Sequence, residues 1–245
     1  MRCASEMKMT GAGFQKSSVC LEVLNRYRLF AAAVILALSL SLRVEAAPSS
    51  YVAWTTETVA LISNADAERG RQLAFGCVAC HGTARLSESP AYPHIAGQDA
   101  RYLYKQLHDF KDKTRNNPQM NGIAASLSEQ EMADIAVYYT SLSAPAPDKG
   151  GGNPVAEKLA RRGHDSRMVP ACMGCHGSRG EGNPGYYGMP VLAGQKAVYL
   201  SIALRQYKVG DRANDVYSVM RAIAGNLTDA EITALGRYYA SQDPR

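Results

Sequence analysis

"GCVACHG" runs from Gly76 to Gly82, and "ACMGCHG" runs from Ala171 to Gly177. Each holds two cysteines separated by two residues and a histidine directly after the second. Cys77, Cys80 and His81 match Cys172, Cys175 and His176 at a separation of 95 residues. The segments downstream of the two motifs repeat as well. "YPHIAGQDARYLYKQLHDFKDKTR" matches "MPVLAGQKAVYLSIALRQYKVGDR", with Gly97 and Gly194 separated by 97. "MNGIAASLSEQEMADIAVYYTSL" matches "MRAIAGNLTDAEITALGRYYASQ", with Met120 and Met220 separated by 100. The drift from 95 to 100 is loop insertion, so the chain is one plan written twice.

The repeat sets the domain organisation. "SAPAPDKGGGNP", Ser143 to Pro154, is rich in proline, glycine and small polar residues and reads as a linker between domains at 47–142 and 155–245. A half of this size has a marginal core, which a large buried cofactor would help to complete. The patterning is helical throughout. "NADAERGRQLAF" leads into the first cysteine motif, and "EKLARRGHDSRMVPA" into the second, with Gly163 and Pro170 making its end irregular. Tyr102, Leu103, Gln106 and Phe110 recur at helical spacing, as do Tyr199, Leu200, Ala203, Leu204 and Tyr207. Ser128 with Glu131 and Thr228 with Glu231 are capping boxes that open the last helix of each half. No stretch alternates as a strand does, so the expected fold is all-α.

The first 46 residues differ from the rest. Scattered basic residues precede the apolar run "LFAAAVILALSLSL" and then "RVEAA", which reads as a secretory signal peptide cut after Ala46. A retained anchor is the competing reading, although the 14-residue run is short for a bilayer. Met7 and Met9 are alternative starts. The leader takes six of the 27 Lys and Arg and three of the 22 Asp and Glu, leaving a mature chain near +2 instead of +5. That charge gives no reason to expect nucleic acid as a partner. Cys3 and Cys20 leave with the leader, so the four remaining cysteines are those of the two motifs.

In an exported protein, Cys-x-x-Cys-His is the attachment motif of haem c: two thiols form thioethers and the histidine supplies an axial nitrogen to iron. The competing readings are a redox dithiol and half of a zinc site. A dithiol of the thioredoxin kind needs a βαβ context that is missing here, and zinc needs the two pairs to converge. The expectation is therefore two covalently bound haem c groups, on Cys77 and Cys80 and on Cys172 and Cys175, with His81 and His176 as axial ligands. Met120 and Met220, 43 and 48 residues after Cys77 and Cys172, are the expected sixth ligands. A thioether donor favours reduced iron and raises the reduction potential. Met189 aligns with Tyr92, Met132 with Ile232, His94 with Val191 and His108 with Arg205, Met173 sits inside the motif and cannot cross to the other face, and His164 lies before the second motif, so all six read as core or surface. Arg115 and Arg212 match in "K-x-x-x-R" form. They are candidates to pair with haem propionates through two parallel hydrogen bonds, with a solvated helix end as the alternative. Tyr102, Tyr139, Tyr199 and Tyr239 are candidates to reach propionates or the other half.

With "CVACHG" and "CMGCHG", "PHIAGQ" and "PVLAGQ", "YLYKQL" and "YLSIAL", "KVGDRAND" and the two methionine segments in this order, the mature sequence resembles the diheme cytochrome c4 family. The resemblance implies two tandem class I cytochrome c domains related by pseudo-twofold symmetry, with haem edges facing across the interface. It implies a periplasmic electron carrier, in some members loosely membrane-bound, working between a quinol-oxidising complex or a dehydrogenase and a terminal oxidase. The first half departs from the pattern, with "KDKTRNNPQM" where the second has "KVGDRANDVYSVM". Two rival functions share the plan. One is a diheme enzyme, a peroxidase or thiosulfate-oxidising cytochrome, which needs an open iron. The other is a tightly bound cytochrome subunit of a sulfide-oxidising flavoprotein. Matched methionines argue against the enzyme.

Overall fold

The computed structural model describes residues 26–27, 49–82, 89–150, 152–183 and 185–245. The chain divides into two units, Met1–Ala47 and Pro48–Arg245. The expected signal segment and its cleavage site lie outside the described residues, apart from Arg26 and Tyr27. The described residues of the second unit are helical, with one isolated bridge, His164 to Val169, and no strand.

The first half contains α1 (Thr56–Ser63), α2 (Ala67–Leu73), α3 (Phe75–His81), α4 (Ala100–Lys111), α5 (Pro118–Ala125) and α6 (Glu129–Ser141). The second contains α7 (Pro154–Arg162), α8 (Met173–His176), α9 (Ala197–Val209), α10 (Val219–Gly225) and α11 (Asp229–Ala240). Both expected capping boxes form: Ser128 Oγ accepts from Glu131 N and Thr228 Oγ1 from Glu231 N, and each glutamate returns to the cap amide at 2.8 Å. Asn153 caps α7 and Pro154 opens it, where the missing proline N–H costs nothing. The end of the expected linker thus belongs to a helix. The rest is not a loose tether, because Pro145 is buried and Asp148 N donates to Ala240 O at 2.8 Å.

The two halves pack alike. In the first, α2 and α4 lie on α6 and α5 lies on α4; in the second, α7 and α9 lie on α11 and α10 lies on α9. Met132 and Ile232, paired in the sequence alignment, are both fully buried at the centres of the two cores. Asp134 is also fully buried: it accepts from Asp66 N at 2.8 Å and Gln130 Nε2 at 3.0 Å and pairs with Arg69. Burial alone would raise its pKa, but these partners together hold it below the ordinary value.

The α2–α6 crossing depends on Gly70. A Cβ there would stand 2.0 Å from Asp134 O and 2.9 Å from Tyr138 Cβ, so the helix backbones approach as closely as they do only because the side chain is a hydrogen. Gly70→Ala is expected to destabilise the holoprotein by about 2–3 kcal/mol through overpacking. Thermal unfolding checks this; an unchanged midpoint would mean that α2 can shift freely.

Candidate haem sites and the face between the halves

Each Cys-x-x-Cys-His motif is helical, which brings positions i, i+3 and i+4 onto one face. Cys77, Cys80 and His81 lie on α3, and Cys172 is the helical N-cap of α8, which carries Cys175 and His176. Gly82 and Gly177 then end the helices with φ of 78° and 86°, a region that suits glycine. The chain turns back at once. His81 Nδ1 comes to 3.0 Å from Pro93 O, and His176 Nδ1 to 3.0 Å from Pro190 O. A carbonyl only accepts, so both imidazoles carry the proton on Nδ1 and keep the Nε2 lone pair for a metal. Burial lowers both histidine pKa values, partly opposed by the proline carbonyls, and favours this neutral form.

None of the four motif cysteines forms a disulfide. Burial pushes Cys77 and Cys172 up, the opposite of what a reactive dithiol needs. No group of three or more metal-ligating side chains occurs among the described residues, so the two motifs do not converge as a zinc site would require. The surroundings suit a large apolar group with polar edges. Cys77 packs against the core that contains Tyr139, whose hydroxyl is buried without a hydrogen-bond partner. Tyr239 has the equivalent place beside Cys172. These two tyrosines stay within their own halves and do not reach the other, as the sequence had allowed.

Met120 and Met220 occur early in α5 and α10, and both are half-buried. Gln119, one residue before Met120, donates to Cys80 Sγ at 3.7 Å, so this helix start lies against the cysteine motif. The two methionine turns are held differently. Asn117 Oδ1 accepts from Met120 N at 3.0 Å, and Asn121 Nδ2 ties α5 to Phe110 O and Arg115 O. In the second half, Arg221 is clamped to Asp215 at 2.7 Å, and Tyr217 and Ser218 take φ of 56° and 58°. This is how the longer "NDVYSVM" loop is accommodated.

Arg115 and Arg212 are not at solvated helix ends. Arg212 is 4% exposed and Arg115 half-buried, and both face the opposite half. The contacts cross: Arg115 Nη2 donates to Tyr199 OH at 3.3 Å, and Arg212 Nη2 donates to Tyr102 OH at 3.0 Å. Each guanidinium lies over an equivalent ring, Arg115 over Phe110 at 4.5 Å and Arg212 over Tyr207 at 4.6 Å. Both also donate to Gln106 Oε1, at 2.7 and 3.0 Å. Neither has a carboxylate partner among the described ion pairs. Burial opposes ionisation of the Tyr199 hydroxyl, yet the two guanidiniums prevail and hold its pKa below the ordinary value. The two guanidiniums thus converge on Gln106 with no carboxylate between them.

Other groups on this face were not legible from spacing. Lys105 pairs with Asp109 at 2.5 Å in full burial and donates to Asn214 O at 2.7 Å, and Asn214 Nδ2 donates to Asp109 Oδ2 at 2.6 Å. The equivalent residues in the second half are Ile202 and Gln206, so this contact breaks the pseudosymmetry. Trp54 stacks on Tyr187 at 5.6 Å, and Arg101 lies 4.7 Å over the same ring. Most regular are the glutamines of the repeated "AGQ". Gln195 Oε1 accepts from His94 N at 2.9 Å while its Nε2 donates to His94 O at 2.8 Å. Gln98 Oε1 accepts from Val191 N at 2.7 Å while its Nε2 donates to Val191 O at 3.0 Å. The recurrence of this glutamine was the only available signal.

The remaining candidates are accounted for. Met189 directly precedes Pro190, on the side of the histidine hydrogen bond, and Met173 lies within α8 itself. His164 is exposed beside Ser166, and His108 lies 2.9 Å from Asp112. His94 is half-buried with its backbone held by Gln195, and burial, with Lys196 nearby, pushes its side-chain pKa down to about 4.

The family model described as cytochrome c matches residues 67–143 and again 163–242. Cytochrome c4 of Pseudomonas aeruginosa is 40% identical over 178 residues, covering 71% of this chain and 87% of that protein. A protein of Stutzerimonas stutzeri named thiosulfate dehydrogenase electron acceptor is 39% identical over 173 residues, covering 69% of this chain and 79% of that one. Among solved structures, reduced recombinant cytochrome c4 from Pseudomonas stutzeri superposes with a TM-score of 0.68 at 37% identity, over 73% of this chain and all of the other (100%). Two matched cytochrome c repeats, each with its own attachment motif and proline-anchored histidine, place this chain in the cytochrome c4 family, as a diheme electron carrier with two haem c sites.

Proposed function

We propose that this protein is a periplasmic carrier whose haems are bonded to Cys77 and Cys80 and to Cys172 and Cys175, with His81 and Met120, and His176 and Met220, as the axial pairs. The observation that carries the reading is the matched pair of Nδ1 hydrogen bonds, which leave each Nε2 free on the cysteine face of its helix. Haem supplies a one-electron iron couple. The chain's residues do the rest. The cysteines would fix the group covalently, His81 with Met120 and His176 with Met220 would hold its iron, and the two cores would exclude water. Arg212, buried, and Arg115, half-buried, both without carboxylate partners, would answer the propionate charge, and Tyr102 and Tyr199 orient them. With the two irons so held by four side chains of the chain itself, electrons would enter and leave at the exposed edges of the bound groups, and partners would dock weakly and transiently.

The donor is a quinol-oxidising complex or a dehydrogenase, and the acceptor a terminal oxidase. A dehydrogenase as donor draws support from the relative named as a thiosulfate dehydrogenase electron acceptor. Stopped-flow reduction by each class of donor separates the two. The ligand assignment is tested by a redox-titrated absorption spectrum that includes the near-infrared band of sulfur bound to ferric haem. Two equivalents of the band per chain, unchanged by carbon monoxide, are expected. One missing band with ligand binding at that iron would make the affected half a candidate catalytic site.

A further inference from the structure

The crossed glutamine contacts meet the histidine contacts on the same peptide groups. The carbonyl of Pro93 and the N–H of His94 belong to one planar peptide. Its oxygen accepts from His81 Nδ1 at 3.0 Å, and its N–H donates to Gln195 Oε1 of the other half at 2.9 Å. The peptide of Pro190 and Val191 is held the same way, by His176 at 3.0 Å and by Gln98 of the first half at 2.7 Å. We propose that Gln98 and Gln195 are positioning residues that act in trans, each half fixing the peptide that orients the iron-ligating histidine of the other.

The site is built for this. Both glutamines are 6% exposed, and each Oε1 also accepts from the following backbone amide, Asp99 N or Lys196 N, at 3.0 Å. The turn that carries each glutamine is tied to its own last helix, Gly97 N to Tyr139 O at 2.9 Å and Gly194 N to Tyr239 O at 3.0 Å. The glutamine therefore projects from a fixed base, and its amide grips the N–H and the C=O of a single residue across the interface. Hydrogen bonds in series polarise one another. An N–H that donates to Gln195 makes the Pro93 carbonyl a stronger acceptor, which draws the Nδ1 proton and makes the His81 imidazole a better donor to iron. A better donor favours the ferric state and lowers the potential. Loss of the glutamine is therefore expected to raise the potential of the haem in the opposite half.

The inference rests on the ligand assignment above, and the two are separable in one experiment. Haem content and the near-infrared band of the wild-type holoprotein test the assignment. Midpoint potentials of Gln195→Leu and Gln98→Leu, with haem methyl resonances assigned through variants of Met120 and Met220, test the inference. The expected result is crossed: Q195L raises the potential of the first-half haem alone, and Q98L that of the second-half haem alone. Gln195→Asn keeps an amide donor and acceptor but draws them back from His94, so it is expected to raise the first-half potential in the same sense without placing an apolar side chain against the peptide, which covers the case that the leucine variants fold poorly. Movement of the haem in the variant's own half overturns the proposal. So does equal movement of both, as loosened domains would give, and so does no movement at all in a chain that holds two His/Met haems.

Discussion

Met220→His is expected to lower the midpoint potential of one haem by roughly 0.3 V and leave the other in place, since axial ligands alone move haem potentials over about 0.8 V. Imidazole is a stronger donor than a thioether and stabilises ferric iron, so the sign follows from the chemistry of the pair. The position tolerates the exchange. Met220 is half-buried near the start of α10, and the turn before it is held by Arg221 on Asp215 and does not depend on the methionine itself. The near-infrared band is expected to fall to one equivalent per chain. Should M220H keep both bands and both potentials, Met220 is not a ligand. Met189 is no ready substitute, because it adjoins the proline that holds the histidine from the opposite side.

Arg212→Met is expected to destabilise the holoprotein by about 3–5 kcal/mol, the range for removing one partner of a buried charge pair, here the pair proposed between Arg212 and a haem propionate. It is also expected to lower the potential of both haems. Removing a buried cation disfavours the added electron wherever its field reaches, and Arg212 contacts both halves through Tyr102, Gln106 and its own Asn214. Arg212→Lys restores the charge without the planar fork, so it is expected to recover the potentials more fully than the stability. Chemical denaturation and a redox titration of the same three proteins check both parts. Potentials unmoved in R212M would mean that the propionate charge is answered elsewhere, with Arg115 the first residue to examine.

Much of this was legible in the sequence because it is local or repeated. The capping boxes at Ser128 and Thr228 read directly, since the partners are three residues apart. The burial of Met132 and Ile232 follows from alignment of the halves, and so does the equivalence of Met120 and Met220. Less legible was the use of α4. Its spacing marks Leu103, Gln106 and Phe110, yet Tyr104, Lys105 and Asp109 are buried too. A helix with one face on its own core and the other on a second domain loses the amphipathic contrast that periodicity detects.

By itself the sequence determined the all-α class, the duplication and the chemistry, because a Cys-x-x-Cys-His motif encodes its geometry within one helical turn. Tertiary structure alone decided what joins the halves: the crossing of Arg115 to Tyr199 and Arg212 to Tyr102, the contacts of Asn214 with Lys105 and Asp109, and the exchange of Gln98 and Gln195 across the interface. These partners stand 84 to 110 residues apart. No local propensity links residues at that distance; they meet only when the two cores present their faces to each other.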